Sequence, residues 1–230
     1  MCLILQIETA TASCSVALAR DGEVVGVKQI NERNMHAGVI TLFIDELIAA
    51  AGVGYNDLDA IAVSSGPGSY TGLRIGVSTA KGLCFALDKP LIAIETLEAM
   101  AYGILSSEGY NQETDTLLCP MIDARRMEVF TTVFNAKGER IKPTSADVID
   151  ENSFSDLLKN SKMLFFGDGA EKCRAALSGN ANALFSIPFI NSATGLTQKA
   201  FEKFNNKEFE DVAYFEPYYL KDFIAGKKAL

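Results

Sequence analysis

The chain has 230 residues, 48% of them hydrophobic and 22% charged, with a formal net charge of −8. So acidic a chain is a poor candidate for gripping a phosphate backbone alone, because that affinity comes mainly from Lys and Arg. Five scattered cysteines, none in a CxxC pair, argue against a disulfide framework or a thiolate cluster, and a single histidine, His36, leaves no His-pair metal motif.

Residues 3–8 (LILQIE) read as a strand, 9–11 as a turn and 13–20 (SCSVALAR) as a second strand. Asp21-Gly22 is a hairpin signal, and 23–30 (EVVGVKQI) is the third strand of an antiparallel meander. A helix is expected over 35–51. Its apolar residues span roughly 240° of the circumference, more than one sheet can cover. It therefore needs a second packing partner, either another helix of the chain or another protein. The absence of a leader pattern or a membrane-length apolar run leads to the expectation of a cytoplasmic protein with no membrane partner.

The most distinctive stretch is 64–81, SSGPGSYTGLRIGVSTAK, fed by the apolar run Ile61-Ala62-Val63. Strand, glycine turn and helix N-terminus is a geometry that can face an anion. The spacing nevertheless fits neither GxxxxGK[ST] nor GxGxxG, since Thr71 stands at the third glycine position. A tight turn that launches a helix over 72–87 is the simpler reading. That helix carries Gly72, Gly76, Thr79, Gly82 and Ala86 on one arc, expected to admit a second backbone closely. Leu73, Val77, Ala80 and Cys84 are expected to pack on the sheet.

A strand at 90–94 and a helix at 97–105 complete the first half, and a polar stretch at 106–114 marks a boundary. The second half opens in the same way, with strands at 117–123 (LLCPMID) and 128–135 (EVFTTVFN) and a third after the turn at 136–139. Then come a helix near 153–160, a strand at 163–166, a helix at 170–177, a segment at 185–190 and a last helix at 194–204. Residues after 222 read as a frayed end. Two such units describe a duplicated α/β fold of the actin, Hsp70 and sugar-kinase superfamily, with two lobes, 1–106 and 107–230, each a mixed sheet with flanking helices.

GPGSYTGLRIG, Glu8-Thr9-Ala10, Asp123-Ala124-Arg125 with Glu128-Val129-Phe130, Gly167-Asp168-Gly169 and Glu216-Pro217-Tyr218-Tyr219-Leu220 together resemble the bacterial TsaB/YeaZ family over nearly the whole chain. Glu8 stands where many relatives have Asp. The resemblance implies a non-catalytic partner of a TsaD-like paralogue in the machinery that forms threonylcarbamoyladenosine in tRNA. It also implies a TsaE-like ATPase in the assembly; like helices able to pair symmetrically lead to the expectation of a homodimer when the partner is absent, and the acidic charge to only indirect contact with tRNA. Thr96 and Met100 occupy the places of two metal-ligand histidines of the TsaD-like enzymes, so neither a metal site nor catalysis is expected.

The expected docking face comprises Met35, His36, Val39, Leu42, Phe43, Glu46 and Leu47 from the first helix and Arg74, Ile75, Gly76, Thr79, Gly82 and Leu83 from the second. Residues placed to line an inter-lobe cleft are Glu8, Thr9, Thr11, Asp123 and Arg125. No resident cofactor is expected, and ATP or ADP would belong at an interface shared with partners. The alternatives are a stand-alone hydrolase of glycoprotease type and a weak nucleotide-binding protein.

Overall fold

The computed structural model describes residues 1–107, 115–185 and 189–221. The first half runs β1 (Leu3–Glu8), β2 (Ser13–Arg20), β3 (Glu23–Asn31), α1 (His36–Ala50), β4 (Ala60–Gly66), α2 (Tyr70–Leu87), β5 (Leu91–Glu95) and α3 (Thr96–Leu105). The second runs β6 (Leu117–Asp123), β7 (Glu128–Phe134), β8 (Arg140–Val148), α4 (Ser155–Leu158), β9 (Met163–Phe166), α5 (Ala170–Leu177) and β10 (Ala183–Phe185). A short 3-10 turn, Ala193–Leu196, then leads into α6 (Thr197–Asn206).

The two sheets have one topology. Their orders are β3-β2-β1-β4-β5 and β8-β7-β6-β9-β10, antiparallel through the meander and parallel beyond it. This is the duplicated actin-like fold. Asp21 and Gly22 both take positive φ, 51° and 86°, at the first hairpin, the backbone a two-residue turn between right-twisted strands requires.

β1 is buried along its whole length because both faces of its sheet are covered. Leu3, Leu5 and Ile7 pack with Ile40, Ile44 and Leu47 of α1 and Val77, Ala80 and Cys84 of α2. Ile4 faces the other way, toward Ala99, Ala193, Leu196 and Ala200. On the second sheet Cys119 and Met121 pack with Cys173 and Leu177 of α5, while Leu118, Ile122 and Phe134 meet Leu97, Met100 and Ala101 of α3. Helix α3 thus contributes to cores on both sheets. Arg140 of β8 adds an ion pair to Glu95 of β5 at 2.7 Å.

Two expected elements change. The helix expected at 153–160 shrinks to Ser155–Leu158, because Phe154 takes a left-handed φ of 60° just before it. Of the segment expected at 185–190, the described strand is Ala183–Phe185; residues 186–188 lie outside the described residues, as do 108–114 within the expected boundary and everything after 221.

Candidate docking face and inter-sheet turns

The 64–81 stretch is held by the turn it packs against. Ser69 caps α2, its hydroxyl accepting from Gly72 N–H at 3.3 Å, and its own N–H donates to Ala10 O at 2.7 Å. Thr9 Oγ1 donates to Gly72 O at 2.8 Å. A Cβ on Gly68 would lie 2.4 Å from Ala10 O, on Gly72 2.0 Å from Thr9 O, and on Gly76 2.2 Å from Thr9 Oγ1. The three glycines are the condition for seating the β1–β2 turn on α2.

This overturns one expectation about α2. Gly72 and Gly76 belong to its buried row with Ala80 and Cys84, at spacings of four that stack on one face of a helix. The small residues left in the open are Gly82 and Ala86, joined by Thr71 and Ser78. Phe85 stands beside them with 87% of its surface exposed. Sequence reasoning passed over Phe85; the available signal was an apolar residue off the buried row.

Of the thirteen expected docking residues, His36, Leu47 and Gly76 are buried inside the chain. His36 Nε2 faces Thr11 O at 2.9 Å and Ser13 O at 3.2 Å, two acceptors, so this nitrogen carries the proton. Val39, Phe43, Ile75 and Leu83 are half-buried where α1 and α2 meet the first core, and Thr79 is half-buried with its hydroxyl donating to Ile75 O at 2.8 Å. Met35, Leu42, Glu46, Arg74 and Gly82 are exposed, Leu42 by 52%. Glu46 pairs with Lys28 at 2.8 Å.

A flank of α2 is covered by the last described residues. Val212 and Phe215 pack on the first core, Lys81 Nζ donates to Phe215 O at 2.8 Å, and Tyr218 N–H donates to Ser65 O at 2.7 Å. Tyr219 stacks on Tyr70 at 4.7 Å, and Arg74 Nε donates to its hydroxyl at 3.1 Å. Lys221 reaches Glu128 on β7.

The two duplicated turns share one device. At the end of β1, Glu8 Oε1 accepts from Ala10 N–H at 2.6 Å; at the end of β6, Asp123 Oδ1 accepts from Arg125 N–H at 2.9 Å. Glu8 and Thr9, expected at a cleft wall, are fully buried, whereas Thr11 is half-buried and Asp123 and Arg125 are exposed. Partial burial raises the Asp123 pKa, but Lys172, the Arg125 N–H and the Lys172 charge outweigh it and hold the carboxyl below its usual value. An actin-like fold raises the question of a nucleotide. In the first turn the Ala10 and Ser13 N–H groups are engaged by Glu8 and Thr11, and the second carries Arg125 and Arg126 at positive φ. These residues do not fit a phosphate cradle within the chain.

Thr96 and Met100 are both buried, Met100 among Phe130, Phe134 and Phe166. Among the described residues no group of three or more His, Cys, Asp or Glu is placed to hold a metal ion, and no helix is long and apolar enough to cross a membrane.

The family model described as TsaD, tRNA N6-adenosine threonylcarbamoyltransferase, matches residues 23–225. The tRNA threonylcarbamoyladenosine biosynthesis protein TsaB of Haemophilus influenzae is 40% identical over 127 residues, 55% of this chain and 51% of that protein. The Bacillus subtilis protein of the same name is 32% identical over 144 residues, 63% of this chain and 60% of that one. The matched stretches therefore span about half to three-fifths of the length of these curated relatives. The structure of YeaZ from Pseudomonas aeruginosa superposes with a TM-score of 0.80 over 96% of this chain and 100% of that one, at 24% identity, a likeness of fold. The chain belongs to the tRNA N6-adenosine threonylcarbamoyltransferase (TsaD) family, and within it resembles the proteins named TsaB.

Proposed function

We propose that the chain serves tRNA threonylcarbamoyladenosine biosynthesis as a non-catalytic subunit that docks a TsaD-like catalytic paralogue through the solvent faces of α1 and α2. The observation that carries this reading is a pair of helical glycines with nothing against them. A Cβ on Gly38 of α1 or on Gly82 of α2 would meet no atom within 4 Å. Each such glycine costs about 1 kcal/mol relative to alanine, and nothing among the described residues uses the space. Leu42 and Phe85 lie exposed on the same two helices. Close helix-on-helix approach at the glycines, flanked by apolar anchors, would account for both features.

The burial of Thr96 and Met100 supports a subunit without its own metal chemistry. A nucleotide, where the assembly uses one, belongs at a surface shared with partners, among them a TsaE-like ATPase. The partners supply most contacts to tRNA, in keeping with the net charge of −8. Without the paralogue, the same faces pair two copies of the chain symmetrically.

Co-purification with the TsaD-like protein from the same cell tests the reading. The unaltered chain should co-elute with it; Leu42→Asp and Phe85→Asp should each weaken the complex at least tenfold while leaving the circular dichroism unchanged. Full retention of the complex by both variants would set this reading aside.

A further inference from the structure

The β1–β2 turn, residues 9–12, holds the N-terminal ends of both helices proposed above as the docking face. For α2 the hold is threefold. Thr9 Oγ1 donates to Gly72 O at 2.8 Å, and Ser69 N–H donates to Ala10 O at 2.7 Å. A Cβ on Gly68, Gly72 or Gly76 would lie within 2.4 Å of Thr9 or Ala10. For α1 the hold comes from its own first residue. The N-cap residue Met35 makes no side-chain capping bond, and the first turn carries no acidic residue, so no cap fixes this helix end. His36 reaches back instead, its Nε2 facing Thr11 O at 2.9 Å and Ser13 O at 3.2 Å.

The turn is braced from within. Glu8 Oε1 accepts from the Ala10 N–H at 2.6 Å, and Thr11 Oγ1 accepts from the Ser13 N–H at 3.3 Å. Glu8, Thr9 and Ala10 are fully buried, and β1 pairs with β2 up to Glu8 and Ser15, at the very edge of the turn. The duplicated lobe supplies an internal comparison. There the matching turn holds the start of α5: Asp123 N–H donates to Asp168 Oδ1 at 3.0 Å, and a Cβ on Gly169 would lie 2.9 Å from the Ile122 carbonyl carbon. Among the described residues α4, the single turn Ser155–Leu158, makes no hydrogen bond to 123–127. A turn that holds two helices belongs to the lobe whose helices carry the open Gly38 and Gly82.

We propose, resting on the docking reading above, that the β1–β2 turn sets the placement of α1 relative to α2, with His36 and Thr9 as positioning residues for docking. A partner that spans both helices needs them at one mutual angle and spacing, and a placement fixed in advance spares the ordering cost on binding. The turn is the common reference for that placement. His36 is 7% exposed and Thr9 0%, so neither offers a partner contact area of its own. Releasing either helix end from the turn loses the placement all the same.

Affinity for the TsaD-like paralogue should fall about five- to tenfold in His36→Ala and in Thr9→Val. His36→Gln, whose amide can still donate to Thr11 O, and Thr9→Ser, which keeps its hydroxyl, should restore it to within about twofold. The double variant should lose little more than either single one, because one release already frees the mutual placement. Additive losses, or full affinity in either single variant, would overturn the shared mount. Hydrogen exchange on the isolated chain tests the mount without a partner. His36→Ala should quicken the amides of 70–76 as well as those of 37–41, beyond any change in β6–β10, which records overall stability. Thr9→Val, the milder change, should do the reverse and reach 37–41 from the α2 side. Quickening confined to the altered helix in both variants would overturn the mount, whereas failure of the unaltered chain to bind its paralogue would overturn the docking reading alone.

Discussion

Thr9 Oγ1 donates a 2.8 Å hydrogen bond to the carbonyl oxygen of Gly72, and the two residues are 63 positions apart. This bond seats the first turn of the chain on the first turn of α2. The same approach leaves no room for side chains at Gly72 and Gly76. The most distinctive motif of the sequence is therefore a structural joint, and α2 turns its other face, with Gly82 and Phe85, to solvent.

Glycines on the two faces of α2 should respond to alanine with opposite signs. Gly76→Ala places a methyl 2.2 Å from Thr9 Oγ1 and should destabilise the chain by about 1–3 kcal/mol. Gly82→Ala fills open space in a helix and should stabilise the isolated chain by about 1 kcal/mol. Urea unfolding of the two variants checks this, with m values held constant. For the same reason a bulky residue at position 76 should report on folding, whereas one at position 82 tests the proposed docking.

Removing the hydroxyl of Thr9 should be costly for its size. Thr9→Val keeps the shape, leaves the turn in place and removes the donor to Gly72 O, at a cost of about 1–2 kcal/mol. Thermal unfolding of Thr9→Val beside Thr9→Ser, which retains the donor, separates the hydrogen bond from the methyl packing.

All five cysteines are free and buried. Burial raises Cys14 to about 11, and Cys84 and Cys119 to about 12. The folded protein should give almost no reaction with a thiol reagent at pH 8, and five equivalents once unfolded in guanidinium. Rapid modification in the native state would mean that the cores around these residues open far more readily than their packing implies.

The stacking of Tyr219 on Tyr70, at 4.7 Å, anchors the final stretch along α2. Tyr219→Ala should lower stability by roughly 0.5–1.5 kcal/mol and expose the amides of 213–219 to exchange, with little change in β6–β10. Uniform acceleration across the chain would show that this stretch is integral to the whole fold.

The duplicated fold was legible because its signals are local: LILQIE and SCSVALAR around a turn, Asp21-Gly22, and the second meander that opens with LLCPMID all declare themselves within a few residues. The buried side of α2 was misread because Gly72 and Gly76 fall on one arc with Gly82. Only the partner residue Thr9, far away in sequence, assigns the first two inward. His36 and Leu47 look like docking residues in sequence because a wide apolar helix does not announce which of its edges meets the sheet. Asn191 gave no signal at all, since the contact of its carbonyl with Gln29 on β3 spans 162 positions. The tail contacts at Tyr70 and Arg74 are hidden from periodicity for the same reason.

The central claim, that α1 and α2 together form the docking face, is tested most directly by hydrogen exchange on the chain with and without its TsaD-like paralogue. The account predicts slowed exchange concentrated in 37–46 and 71–86, with β3 and β8, the meander-side edge strands of the two sheets, unchanged. Protection centred on those edge strands, with both helices unaffected, would contradict it.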